Sequence, residues 1–142
     1  MSSYGEVAVE AANLAITAGV APLEAWEAAA KRLLHTPDLR NKGCPKAAFL
    51  GLCAAGLIKD VDGGYHDGAL ESPNAQYAVA AIKVIRLSGG ISGMEEKSLW
   101  VRALKIAKGK EGTVHNQQMS VVLSLARANL INGVSPGESA EI

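Results

Sequence analysis

Aromatic side chains are scarce in this chain: one Phe, three Tyr and two Trp among 142 residues. A core with so few rings must close on aliphatic side chains and alanine, and abundant alanine favours helices. There is no excess charge of either sign, because 14 Lys and Arg balance 14 Asp and Glu. That excludes a global basic surface for a phosphate backbone and an acidic one that would mimic it. Cysteine is limited to Cys44 and Cys53. Nine positions apart on one predicted helix, they are separated by a rise of about 13 Å and cannot bond to each other. Unbridged thiols in a core point to a reducing compartment. Only His35, His66 and His115 carry imidazole, and no His/Cys spacing matches a zinc site. The uncharged stretch between Lys46 and Lys59 is about a dozen residues, far short of the ~20 that span a bilayer. Glu6, Glu10 and Asn13 interrupt any signal-peptide core. The expected location is the cytoplasm, with no membrane partner.

What the chain does contain is organised around residues 44–61, CPKAAFLGLCAAGLIKDV. Ala47, Ala48, Phe49, Leu50, Leu52, Cys53, Ala54 and Ala55 go all the way round a helix, and such a helix is buried on every side. Pro45 suits a first helical position with Cys44 as the cap. Gly56 suits the left-handed position past the end. Residues 117–134, QQMSVVLSLARANLINGV, repeat this pattern 73 positions on. Leu50, Leu52, Ala55, Leu57, Ile58 and Val61 fall on Leu123, Leu125, Ala128, Leu130, Ile131 and Val134, and Gly56 falls on Asn129. Upstream, Ala8, Val9, Ala11 and Gly19 match Ala78, Val79, Ala81 and Gly89 at an offset of 70, and Trp26 matches Trp100 at 74. The expectation is an all-α fold of about six helices in two related three-helix halves, an internal duplication. At this length the chain is one compact domain, with pseudo-repeats over about 4–61 and 75–134 and a disordered tail at 135–142.

Helical periodicity places helices over residues 4–18, 22–34, 45–55, 74–87, 94–108 and 116–128. Pro22 opens the second, Gly89 and Gly90 end the fourth, and Asn116 is a plausible cap for the sixth. Glu27 and Lys31 form an i, i+4 pair in the favourable order. Trp26 and Trp100 sit at core spacing. Residues 35–43 read as a polar loop, and 60–74 as the connector between copies, with room for a short β-hairpin.

Few positions carry chemistry. Cys44 at a helix start, near Lys42 and Lys46, has the setting that favours a thiolate, but no spacing brings a histidine base to it. It is the one candidate catalytic residue, and the bland reading is a small capping residue. Cys53 reads as core. Asp60, Asp62 and Glu71 fit positions 1, 3 and 12 of a calcium loop, but Gly64 supplies no ligand at position 5 and Tyr65 stands where glycine is needed. No metal or cofactor site is expected. Two basic groups, Arg40, Lys42 and Lys46 in one and Arg102, Lys105 and Lys108 in the other, are candidate phosphate or partner contacts. Helix, Gly-Leu-Ile and a Gly-rich turn resemble a winged helix-turn-helix half. A recognition helix must offer polar side chains to base edges, however, and residues 45–55 offer almost none.

The strings GCPKAAFLGLCAAGLIKDV and HNQQMSVVLSLARANLI resemble a family of small bacterial helical proteins of unknown function. The resemblance implies a bacterial helical protein and lends no activity to any position. The leading functional expectation is a non-catalytic protein-interaction module, with an unidentified protein or a second copy as partner. The alternatives are a nucleic-acid-binding regulator and a thiol-dependent enzyme acting through Cys44.

Overall fold

The computed structural model describes residues 3–62, 68–110, 112–113, 115 and 117–134. Six principal helices make the fold: α1 (Ser3–Ala18), α2 (Pro22–Leu33), α4 (Gly43–Ala54), α5 (Pro73–Leu87), α6 (Glu96–Ile106) and α7 (Gln118–Arg127). A single-turn helix, α3 (Pro37–Arg40), and a 3-10 turn, Ala69–Glu71, join them. Among the described residues there is no strand, only an isolated antiparallel bridge between Ile58 and Ile131. The fold is all-α, as the periodicity predicts.

Local chemistry accounts for most helix ends. Pro22 opens α2, and Pro37 and Pro73 open α3 and α5 behind caps. The Thr36 and Ser72 hydroxyls accept the Leu39 and Asn74 N–H groups, each at 3.2 Å. At the far ends of α4 and α7 the same closure appears twice. Gly56 (φ 72) and Asn129 (φ 63) turn left-handed. Leu57 N–H then donates to Leu52 O and Leu130 N–H to Leu125 O, both at 3.0 Å.

The two helices that carry least charge form the interior, α4 with only Lys46 and α7 with only Arg127. No residue from 44 to 59 is exposed on α4 and its exit, and none from 118 to 126 on α7. α4 packs on α7 and α5; α1 packs on α2 and α7; α6 packs on α5 and α7. Trp26 lies wholly inside against Phe49, their rings 5.4 Å apart, and Trp100 is buried too, as its spacing predicts.

Four expectations need correction. Cys44 does not cap α4: Lys42 holds that position, and Cys44 lies in the first turn with Pro45 after it. Proline needs no N–H donor anywhere in a first turn, so its presence does not fix the cap. Glu27 does not pair with Lys31; its carboxylate meets Lys46 at 3.6 Å, because tertiary packing brings α4 beside α2. Residues 35–43 hold a helical turn rather than plain loop. Lys108 lies past the end of α6 with φ 59, where Gly109 N–H closes on Leu104 O at 2.8 Å. The hairpin expected in 60–74 falls largely on residues 63–67, outside the described residues, and the described remainder carries the 3-10 turn. The expected cap Asn116 and the tail 135–142 also lie outside them.

Candidate functional site

The most built surface lies around α6 and the turn that follows it. Leu99, Trp100, Ala103 and Leu104 face inward. The Trp100 indole donates its Nε1–H to Thr113 O at 3.1 Å. Tyr77 meets the Trp100 ring edge-on at 5.1 Å, and the His115 ring lies 5.2 Å away on another side. His115 Nε2 in turn accepts the Met119 N–H at 3.0 Å, so the imidazole caps α7. That bond requires a lone pair on Nε2 and puts the proton on Nδ1. Burial pushes the His115 pKa below its ordinary value, and the Glu96 carboxylate pulls weakly the other way. Between α6 and Gly109, Gly112 and Thr113 opens a cleft of about 720 Å³. Trp100 and Leu104 form its floor, and Val101 and Lys105 its flank.

A smaller depression, about 340 Å³, lies on the other flank of α6 against α5. Gln76, Val79, Ala80, Lys83, Ile106 and Leu70 line it. A matching groove of about 680 Å³ runs between α1 and α2. Its walls carry Glu6, Val9, Glu10, Asn13 and Arg32, which stand 70 or 74 positions before Gln76, Val79, Ala80, Lys83 and Ile106. These positions share an offset but differ in chemistry, and Ser124, Arg127 and Ala128 of α7 also line the first groove while no α4 residue lines the second. The first is bridged by Arg32, whose Nε and Nη2 meet the two Glu10 oxygens at 2.9 Å each. The second has Ile106 opposite Ala80.

On the principal helices the exposed large apolar side chains follow the same asymmetry, while Leu39 and Leu70 are exposed on α3 and the 3-10 turn. Leu87, Val101 and Ile106 are exposed on α5 and α6, Leu87 to 81 %. Their counterparts on α1 and α2 are Thr17, Glu27 and Arg32. On α6, Lys97, Arg102 and Lys105 are also exposed, with Lys108 just beyond its end. The counterparts of these four on and beside α2 are Leu23, Ala28, Lys31 and Leu34.

The structure does not bring the two predicted basic groups into one track. Arg40 is half-buried and donates from Nε to Leu34 O at 2.9 Å, and Lys46 is held near Glu27. Lys42 is exposed at the head of α4. Arg102 donates to the Ser88 hydroxyl at 3.2 Å, while Lys105 and Lys108 extend into solvent. Cys44 is half-buried; His35 is exposed, and the acceptor nitrogen of His115 is already taken at α7. Cys53 is core, and burial pushes its thiol up to about 12. Among the described residues no three His, Cys, Asp or Glu side chains gather to hold a metal ion, and no helix is long and apolar enough to cross a membrane.

Sequence reasoning missed His115 as a cap and as a wall of the Trp100 cluster. Its position four residues before Met119 was the available signal, but imidazole is not a common capping group. It also missed the apolar character of the exposed α6 face, because Val101 reads as one more residue in an amphipathic helix.

A family model covering residues 1–132, whose description is a family of unknown function, matches the chain. No curated protein and no solved structure matches it.

Proposed function

The chain belongs to the family of unknown function DUF6979, and since that membership lends no activity, we propose from the geometry a non-catalytic interaction module whose binding face is α6 with its two flanking clefts. The observation that carries this reading is the contrast between like positions. Where α1 and α2 present Thr17, Glu27 and Arg32 to water, α5 and α6 present Leu87, Val101 and Ile106. Apolar side chains beside concave surface are what a partner's apolar anchors would bury. The partner is a polypeptide segment with apolar anchors flanked by acidic residues. Val101 and Ile106 stand at the two cleft edges that would receive the anchors. Lys97, Arg102, Lys105 and Lys108 supply the complementary charge, which steers encounter more than it adds affinity.

Nucleic acid is the weaker reading. α4 and α7 are interior and have no free polar face for base edges. Trp100 is 6 % exposed, so its ring is no stacking platform for a base.

A Trp26→Phe variant leaves Trp100 as the sole indole reporter. Titrating it with synthetic peptides that alternate Glu with Leu or Phe should change its fluorescence with saturable binding. Basic peptides of the same length should not bind. Replacing Val101 and Ile106 by their first-half counterparts (V101E, I106R) should weaken binding at least tenfold while leaving the melting temperature within a few degrees. Saturable binding of duplex DNA that weakens as salt rises, without peptide binding, would overturn the assignment.

A further inference from the structure

The crossings between helices pair the two halves of the chain in an exchanged manner. α1 crosses α7 so closely that a Cβ on Gly5 would lie 2.0 Å from Ser124 Oγ. α5 crosses α4 just as closely, a Cβ on Gly51 falling 2.3 Å from that of Ala75. Ala75 stands 70 positions after Gly5, and Ser124 stands 73 after Gly51. These are therefore one crossing made twice, with the glycine moved from one partner helix to the other. In both, the first helix of one half rests on the third helix of the other half.

The centre of the molecule obeys the same relation. Ile58 pairs antiparallel with Ile131, its own counterpart 73 positions on. Lys59 N–H donates to Leu130 O at 2.9 Å, and Asn132 N–H donates to Leu57 O at 2.9 Å. Each bond becomes the other when 73 is added to one residue number and taken from its partner's. The side chains repeat the exchange: Lys59 Nζ reaches Asn129 Oδ1 at 2.6 Å, and Asn132 Nδ2 reaches Gly56 O at 3.0 Å. Six lining positions of the groove between α1 and α2 also recur, at offsets of 70 or 74, in the depression between α5 and α6. Chance likeness between alanine-rich helices accounts for similar helices. It does not account for reciprocal hydrogen bonds at the same offset.

We propose that the protein is a fused, helix-exchanged dimer: two versions of one three-helix unit, meeting at a surface shaped to receive a second copy of that unit. An isologous contact of this kind is self-complementary, so residue i meets j and j meets i. Fusion then frees the two outer faces to diverge, and the outer grooves differ in chemistry, Glu10 and Arg32 in one standing where Ala80 and Ile106 stand in the other.

Two measurements on the full chain test this. In the first, a protease recognition sequence replaces residues 63–67, and the folded chain is cut there. The two pieces should stay together at the mass of the intact chain and keep its helicity, because every crossing just described joins one half to the other. Pieces that separate under native conditions would overturn the proposal. The second is a transplant. Gly51→Ser alone should lower the melting temperature sharply, because it drives a side chain into Ala75. Adding Ala75→Gly recreates at α4 and α5 the Gly5–Ser124 pairing of α1 and α7, and should restore most of the loss. A double variant no more stable than Gly51→Ser would show that the two crossings are not equivalent.

Discussion

His115 holds one indole neighbour and one helix end at once. Its folded pKa is depressed, chiefly by burial, below the ordinary value of 6.5. The unfolded chain therefore takes up the proton first as pH falls, and the stabilisation is present in full only above about 6.5. It is lost as pH drops from there through the folded pKa, when Nε2 can no longer accept the Met119 N–H. Urea midpoints measured from pH 8 to 5 should fall with acid in the parent chain. In His115→Ala the midpoint should be lower at pH 8 and fall less steeply. Equal slopes would mean the imidazole stays solvated. The two thiols make a second contrast at this scale. With its pKa near 12 and no exposure, Cys53 should resist alkylation at pH 8 until the chain unfolds. Half-buried Cys44 should be modified first, and mass spectrometry of the alkylated native protein should find a single adduct.

At the scale of elements, two helix ends adopt the same left-handed geometry with different residues. Gly56 has no Cβ and meets no strain at φ 72, whereas Asn129 adopts φ 63 at some cost and holds Lys59 through its amide. Gly56→Ala should destabilise by about 1 kcal/mol, because alanine tolerates that region poorly. Asn129→Gly should be nearly neutral, the relief of strain offsetting a lost exposed hydrogen bond that contributes about 1 kcal/mol or less. Chemical denaturation of the two variants measures both. If Asn129→Gly proves as costly as Gly56→Ala, the Lys59 contact matters more than its exposure suggests. Both ends were legible from sequence, because each follows a long apolar run and both residue types are rare elsewhere in it. The start of α4 was not legible. Pro45 is compatible with several positions in a first turn, and the choice fell to the turn of α3 that delivers the chain.

The whole molecule has one interior. Trp26 lies in the first half and Trp100 in the second, yet both abut the same continuous cluster of buried side chains. Urea unfolding followed in Trp26→Phe and in Trp100→Phe should give single transitions, each coinciding with helicity loss in the same variant. A helical plateau after the fluorescence change in either variant would indicate halves that unfold separately. Which helix covers which was set across the chain, α1 resting on α7 and α5 on α4. Helical periodicity states that a face of α1 is buried, and it says nothing about whether the covering helix is α4 or α7.

Sequence by itself determined the all-α class, the number of principal helices, the burial of both tryptophans and the two mainly apolar interior helices. Each of these follows from spacing along the chain: a helix buried on all sides needs no polar face, and an amphipathic one needs a single apolar stripe. Only tertiary structure decided that Glu27 meets Lys46, that His115 closes α7, and that α1 rests on α7 and α5 on α4. Those choices depend on distances between residues far apart in the chain. Local pattern fixes what must be covered, and the fit between surfaces, down to the missing Cβ atoms of Gly5 and Gly51, fixes what covers it.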